Sequence, residues 1–518
     1  MAADDGRSCA LHVCTLCKAR KKKCDKQLPR CSYCVKNDLR CVYEPISRIR
    51  AGQQPPQQRL PPTLATTTPP SSDDSPALTV PSGVSLGAAN LHQQVYQLIR
   101  ASGHFVDDVS SRYFHTLYLY IPIISRPRFH DNLVTLGATP SADFSVLLLS
   151  MHLVILVPPT QDQHDSFSNR YLHGDIGDSV STETNSQSLY LTAKYLFAQV
   201  QCTLPPSVHL IQAGLLIAIY EYTRGQPDQA LITISLCARL AYAARIHQSA
   251  GVHTNILDGR RARSEAREEA NTWWGIVIYE RAALCEATLP DQPLITSMLD
   301  PDGPLPSESA VLDLSDAEPY LSFPIPEGEE YPLCSRLSAL KEADTGAFGR
   351  TAQASWLLGQ VLSALHIPDL ETRLACLRRL DGELQMFLSD LVQQTSGKRG
   401  PFCGSVSLSI RALFALHFHI LDQQAQAFIN PKDQLVLEHS QRSHAALRSV
   451  TVMVVDVTDA HASSEAAFGL PPTYPYNVKA ALTYIRERRA IDNGDALLGA
   501  EAKLHCVSRD CDQRPERC

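Results

Sequence analysis

From about residue 90 onward, apolar side chains recur three and four positions apart, and runs that alternate apolar with polar are few. That spacing lays a stripe along a helix, so the pattern predicts an all-α body. Leu91, Val95, Leu98, Ser102 and Phe105 open it as one amphipathic stripe about two heptads long, short of the three or four that argue for a coiled coil. The stretch therefore reads as the first helix of the body. Further on, Leu210 to Tyr220 is nearly all apolar and runs into Arg224-Gly225-Gln226-Pro227, where glycine and proline stop a helix. A second helix follows over Ala230 to Arg245, and Glu269 to Arg281 forms another around Trp273 and Trp274. Large aromatics at helical positions usually serve burial, so the tryptophans read as core, and Glu280 with Arg281 as a structural ion pair.

The helical pattern is absent from residues 44–88, which are rich in Pro, Gln, Ser and Thr, as in Thr66-Thr67-Thr68-Pro69-Pro70-Ser71-Ser72. Such a composition buries too little to fold and predicts a disordered linker. Ahead of it stands a different pattern, Cys14-x2-Cys17-x6-Cys24-x6-Cys31-x2-Cys34-x6-Cys41. Cys14, Cys17 and Cys24 recur as Cys31, Cys34 and Cys41 with the same spacings, a repeat shifted by 17 residues. A Cys-x2-Cys pair can point two sulfurs at one metal, and zinc prefers four such ligands in a tetrahedron. Six thiolates fill two tetrahedra only if two of them bridge, and the repeat makes Cys14 and Cys31 the natural bridges.

This stretch resembles the fungal zinc binuclear cluster DNA-binding domain. The likeness includes Lys18-Ala19-Arg20-Lys21-Lys22-Lys23 between the second and third cysteines, Asp25 after Cys24, Pro29 before Cys31 and Tyr43 beyond Cys41. The resemblance implies two Zn2+ ions, one held by Cys14, Cys17, Cys24 and Cys31, the other by Cys31, Cys34, Cys41 and Cys14; spacing alone does not fix that assignment. It also implies that the helix after Cys17 enters the major groove of double-stranded DNA and reads a CGG-type triplet. Arg20 and Lys21 align with the family's base-contacting pair, and such cations suit the O6 and N7 acceptors of guanine. Lys18, Lys22, Lys23 and Lys26 are candidates for phosphates, which position a domain without specifying sequence. Many relatives pair two subunits through a coiled coil, which this sequence lacks, so a homodimer rests on family precedent.

Charge supports an anionic partner. Residues 1–50 hold 12 Lys+Arg against 5 Asp+Glu, net +7, and the whole chain carries −7, which leaves −14 for the rest. Part of the basic run offsets the charge of two Zn2+ and six thiolates; the surplus suits duplex DNA. A zinc fold with no nucleic-acid partner remains the alternative, and iron–sulfur ligation or metal storage also use cysteine pairs, although an iron–sulfur cluster normally takes four.

The body carries its own likeness. Ser111 to Leu117 leading into Ile121-Pro122-Ile123-Ile124-Ser125-Arg126-Pro127-Arg128-Phe129 resembles the opening of the fungal transcription-factor regulatory domain. The double tryptophan followed by Glu280-Arg281, where the family has Asp-Arg, and Phe468 to Tyr476 extend it. The expected organisation is a flexible N-terminus at 1–13 and a zinc-stabilised cluster of two short helices at 14–43. Beyond it come a linker at 44–88, an all-α regulatory domain at 89–490, and a tail at 491–518 that is disordered, truncated or the product of a misread exon. The implied role is a nuclear regulator of RNA polymerase II genes that engages the transcription machinery, with control of a metabolic or secondary-metabolite gene cluster as a family habit.

Other chemistry is scarce. Nine cysteines scatter through the chain after Cys41 and read as core thiols, while Cys9 reads as a free thiol beside the cluster. Met1-Ala2-Ala3-Asp4-Asp5-Gly6 lacks an apolar signal segment, which argues against secretion. Phe144 to Val157 and Gly214 to Tyr220, the most apolar stretches, are shorter than a membrane span, so no membrane partner is expected. His417 and His419, two apart on a helix, face different ways and read as ordinary histidines. No Gly-x-Ser-x-Gly, phosphate-cradling glycine loop or His-Glu-x-x-His occurs, and an enzyme is not expected.

Overall fold

The computed structural model describes residues 13–14, 17, 22–27, 30–36 and 41 near the N-terminus. Beyond these it describes 87–134, 139–156, 178–249, 260–288, 292–296, 300–308, 336–341, 345–395, 403–427, 434–462, 470–489, 501 and 503–504. The chain divides into two compact units, Met1–Ser82 and Gly83–Cys518, called here the head and the body. Cys9, Lys18, Arg20 and Lys21 lie outside the described residues, as does the expected linker apart from 87 and 88. The head contributes one short helix, α1 (Ser32–Lys36), and Cys17 is helical where the other is expected.

The body is helical, and among its described residues the one β-type pairing is an isolated bridge between Pro304 and Arg336. Its first half is built on α5 (Ala142–Ile155) and α7 (Val208–Thr223), which pack on each other. Both are apolar on nearly every face, and nearly every face is buried, as such a helix requires. Helices α2 (Ala88–Ala101), α3 (Val106–His115) and α6 (Asp178–Thr203) cover α5, while α8 (Pro227–Ala243) covers α7. Gly214 permits the close approach there: a Cβ on it would lie 2.6 Å from Cys237 Sγ. Between them run the short α4 (Arg126–Val134) and α9 (Ile246–Ser249). The long α10 (Arg260–Glu286) packs on α7, α8 and α9 and then on α11 (Ala347–Leu365). In the second half α13 (Cys403–Ala427) is central, packed by α11, α12 (Leu370–Thr395), α14 (Gln434–Ala462) and α15 (Tyr474–Arg489). One continuous apolar core runs through all of it.

Polar side chains inside this core hold loops. The apolar-proline turn at 121–125 is gripped from α7 and α10: Gln212 Nε2 donates to Ile123 O at 2.6 Å and Asn271 Nδ2 to Pro122 O at 2.8 Å, while Glu268 Oε1 accepts from Ser125 N at 3.1 Å. Trp273 and Trp274 are buried, as their pattern predicts. Glu280 accepts the backbone N–H groups of Ile295 at 2.7 Å and Thr296 at 3.0 Å, and Arg281 donates to Thr296 O at 3.0 Å. The two lie 3.9 Å apart, and most of their hydrogen bonding goes into fixing residue 296. His417 is buried with Nδ1 3.1 Å from Ser443 Oγ and Nε2 3.3 Å from Asp381 Oδ1, a structural placement.

Three expectations are corrected. The buried stripe of α2 is Leu91, Val95 and Ile99, whereas Phe105 is 58% exposed: α2 ends at Ala101, Gly103 turns the chain at φ +79°, and Phe105 belongs to the entry of α3. Not all scattered cysteines are core thiols, since Cys202 and Cys403 are exposed. Beside the stretches singled out from the sequence, Cys403–Gln423 is, among the described residues, long and apolar enough to cross a membrane by length and composition, and 67% of it is buried inside the body. Within the expected tail, Leu504 is fully buried and Lys503 Nζ lies 2.5 Å from Asp459 Oδ2, so this part packs with the body.

Candidate metal centre

The six cysteines converge into one cluster. Cys14, Cys17, Cys31 and Cys34 are buried and Cys24 and Cys41 half-buried, so thiols make the core among the head's described residues. Two sets of four sulfurs can each surround one ion, Cys14 with Cys17, Cys24 and Cys31, and Cys14 with Cys31, Cys34 and Cys41; within each set all sulfurs lie within 4.8 Å of one another. Both contain Cys14 and Cys31, whose sulfurs are 3.8 Å apart. The Cys17–Cys31 and Cys14–Cys34 separations are 3.7 Å and 3.8 Å. Two sulfurs bound to one zinc at ~2.3 Å with a tetrahedral angle stand about 3.8 Å apart. The donor set thus has the chemistry and the spacing for two zinc ions sharing two bridging thiolates.

The 17-residue repeat reappears in the backbone. Cys17 N–H points at Cys14 Sγ at 3.4 Å, and Cys34 N–H serves Cys31 in the same way. Cys31 N–H points at Cys41 Sγ at 3.3 Å, and Cys14 N–H serves Cys24. These dipoles favour charge on sulfur, against burial, which disfavours it. Burial wins at Cys14, pushed up to about 12, and also raises Cys17 and Cys31. At Cys24 burial is outweighed by the N–H groups of Cys14 and Lys26 together with neighbouring thiols, and the group falls to about 7. Buried thiols held close together and reluctant to ionise release their protons to a cation, so metal binding and proton release are coupled.

Of the remaining candidates, Lys22 and Lys23 are exposed beside the cluster, and Lys22 N–H donates to Cys17 O at 2.9 Å. Lys26 is half-buried in the left-handed region, φ 60°. Lys18, Arg20 and Lys21 lie outside the described residues. Asp25, part of the family likeness but given no role from the sequence, accepts Ser32 N–H with its carboxylate at 3.0 and 3.2 Å, linking the first half of the repeat to the start of α1 in the second. The signal available was an acid directly after the third cysteine, with a helix-starting serine seven residues on.

Residues 12–50 match the fungal Zn(2)-Cys(6) binuclear cluster domain, and residues 110–285 match the fungal specific transcription factor domain. The chain carries both domains of a fungal Zn(2)-Cys(6) transcription factor. The cluster domain binds two zinc ions, and neither family is a catalytic one. The regulatory-domain match ends inside α10, while α11 to α15 continue the same core. The chain is similar to Transcription factor BOA15 of Botryotinia fuckeliana, 29% identical over 143 residues, 27% of this chain and 68% of that protein. It is also similar to the Depudecin biosynthesis cluster-specific transcription activator DEP6 of Fusarium langsethiae, 49% identical over 41 residues, 8% of this chain and 7% of that one. Oleate-activated transcription factor 1 of Saccharomyces cerevisiae is 47% identical over 38 residues, 7% of this chain and 4% of that one.

Proposed function

We propose that the protein is a sequence-specific DNA-binding regulator of RNA polymerase II genes, acting in the nucleus and controlling a metabolic or secondary-metabolite gene cluster. The observation that carries this reading is the pair of four-sulfur sets sharing Cys14 and Cys31, with Lys22 and Lys23 exposed beside them. In this reading Cys14, Cys17, Cys24, Cys31, Cys34 and Cys41 ligate the two zinc ions. Arg20 and Lys21 contact guanines of a CGG-type triplet in the major groove, and Lys18, Lys22, Lys23 and Lys26 contact phosphates. The net charge of +7 over residues 1–50 supports an anionic partner, and the role printed for the Fusarium relative supports the choice of pathway. Pairing of two subunits on paired half-sites and contact with the transcription machinery belong to the same reading.

The test is binding of the full zinc-loaded chain to a CGG-bearing duplex and a scrambled one across a salt series. A preference for the CGG duplex is expected, with affinity falling steeply as salt rises. Lys21→Ala should weaken the CGG complex by about 1–3 kcal/mol and leave scrambled DNA nearly unaffected. Equal weakening on both would make Lys21 a phosphate contact, and equal affinity of the unaltered protein for both duplexes would leave a zinc-folded interaction protein in place of the regulator.

A further inference from the structure

The two halves of the cysteine repeat are equivalent in their ligands and unequal in what surrounds them. Asp25 follows Cys24 in the first half; seventeen residues on, the position after Cys41 is Val42. Asp25 is exposed, yet both its oxygens face the N–H of Ser32, at 3.0 and 3.2 Å, and Ser32 Oγ lies 3.4 Å from Gln27 Oε1. Ser32 is the first residue of α1, directly after Cys31, and α1 carries Cys34; Val35 N–H closes that turn on Cys31 O at 3.0 Å. The carboxylate therefore satisfies an N–H at the start of α1 that has no partner inside the helix, and it does so from across the cluster. The first half offers the second this strut, and at the matching position the second half has no carboxylate to return.

We infer that Asp25 is a positioning residue for one metal of the pair, holding Cys31 and Cys34 in place for the zinc bound by Cys14, Cys31, Cys34 and Cys41. The inference rests on the two-zinc reading. Groups that orient metal ligands through a hydrogen bond typically change metal retention about 10–100-fold when lost. Asp25 also accepts the backbone N–H of Gln27 within the first half, and Cys31 serves both ions, so removing Asp25 acts more on the second ion through Cys34, which the first ion does not use.

The experiment follows zinc transfer from the full chain to a chromophoric chelator, with amide hydrogen exchange over Ser32–Lys36 as a second readout. The unaltered protein must first be shown to hold two zinc ions per chain; a count of one or none would sink the underlying reading and leave the role of Asp25 without an object. Given two, Asp25→Ala should release one ion about tenfold faster and the other by a clearly smaller factor, since Cys31 is shared, with exchange accelerated over α1. Asp25→Asn keeps one side-chain oxygen as an acceptor and should recover most of the slow release. Unchanged release in Asp25→Ala, equal acceleration of both ions, or Asp25→Asn as fast as Asp25→Ala would each overturn the assignment.

Discussion

The head and the body solve the same folding problem with opposite means. The body removes a long list of Leu, Ile, Val, Phe and Tyr side chains from water in one continuous core. Among its described residues the head buries four cysteines, with Tyr33 half-buried beside them. At about 25 cal/mol per Å2 of apolar surface, a stretch as small as 14–41 cannot offset the entropy of ordering its own chain. A metal must do it, and the conditions that destroy one region should leave the other standing. All three tryptophans, Trp273, Trp274 and Trp356, lie in the body, so their fluorescence reports the body while zinc release reports the head.

The largest expected effect is chelation. Structural zinc contributes roughly 10–16 kcal/mol in comparable small sites, so a strong chelator should unfold the head and abolish DNA binding together. The body's thermal transition, followed by tryptophan fluorescence, should not move. A common transition for both signals would break the contrast and make the metal a support for the whole chain.

The reverse experiment attacks the body. Arg411 Nε and Glu286 Oε1 form an ion pair, nearly shielded from water, between α13 and the end of α10. Arg411→Ala leaves that carboxylate among the apolar neighbours of Tyr222, Cys285 and Tyr476, and should destabilise the body by about 3–5 kcal/mol. Two zinc ions per chain should be retained. Removing both partners should cost less than removing Arg411 alone, which a double-mutant cycle measures.

Acid separates the regions more gently. His152 on α5 is fully buried, with neither ring nitrogen hydrogen-bonded among the described residues, and it faces His104, from the turn before α3, and Arg112, on α3 itself. Burial, with the charges of His104 and Arg112, lowers it from 6.5 to about 4. The unfolded chain therefore takes a proton below about pH 6.5 that the fold refuses until about pH 4. The contribution of neutral His152 is complete above that window and is lost as pH falls through it, by up to about 3 kcal/mol. His152→Phe should flatten the body's stability between those limits. Zinc release should keep its own pH dependence, set by protons returning to six sulfurs. A body in His152→Phe that still weakens by the same amount would place the titration on other groups.

What could be read in advance differed between the regions for the same reason that their stability does. In the head the spacing of six cysteines marked the ligands that the fold brings together, while the metal and its count came from the family resemblance. The strut from Asp25 was not legible, because its acceptor and donor are seven residues apart in no periodic relation and meet only once the cluster has folded. In the body, period marked α7, α8 and α10 and placed Trp273 and Trp274 inside, since a one-sided or all-apolar helix has few alternatives. Period failed where a turn intervenes, as at Gly103, which takes Phe105 off the stripe of Leu91 and Val95. It was also silent on Gln212, Glu268 and Asn271, whose partners are 89, 143 and 149 residues away.

The smallest effect offers the closest comparison, because among the described residues each region holds one non-glycine residue in nearly the same left-handed conformation, Lys26 at φ 60° in the head and Arg245 at φ 61° in the body. Arg245 follows the end of α8, and its N–H returns to Tyr242 O at 3.1 Å, a helix stop that usually employs glycine. Glycine at either place removes the clash of Cβ with the backbone and adds entropy to the unfolded chain, for a net gain of about 1 kcal/mol or less. In the body that gain should appear as a higher denaturant midpoint for Arg245→Gly. In the head the folded state is the zinc-bound state, so Lys26→Gly should instead raise resistance to chelation by up to about fivefold, while a lost phosphate contact weakens binding to every duplex alike. If Lys26→Gly raised the body's denaturant midpoint and left zinc retention unchanged, the backbone of the head would be answering to the apolar core, and the division of labour between metal and core would fail at its most sensitive point.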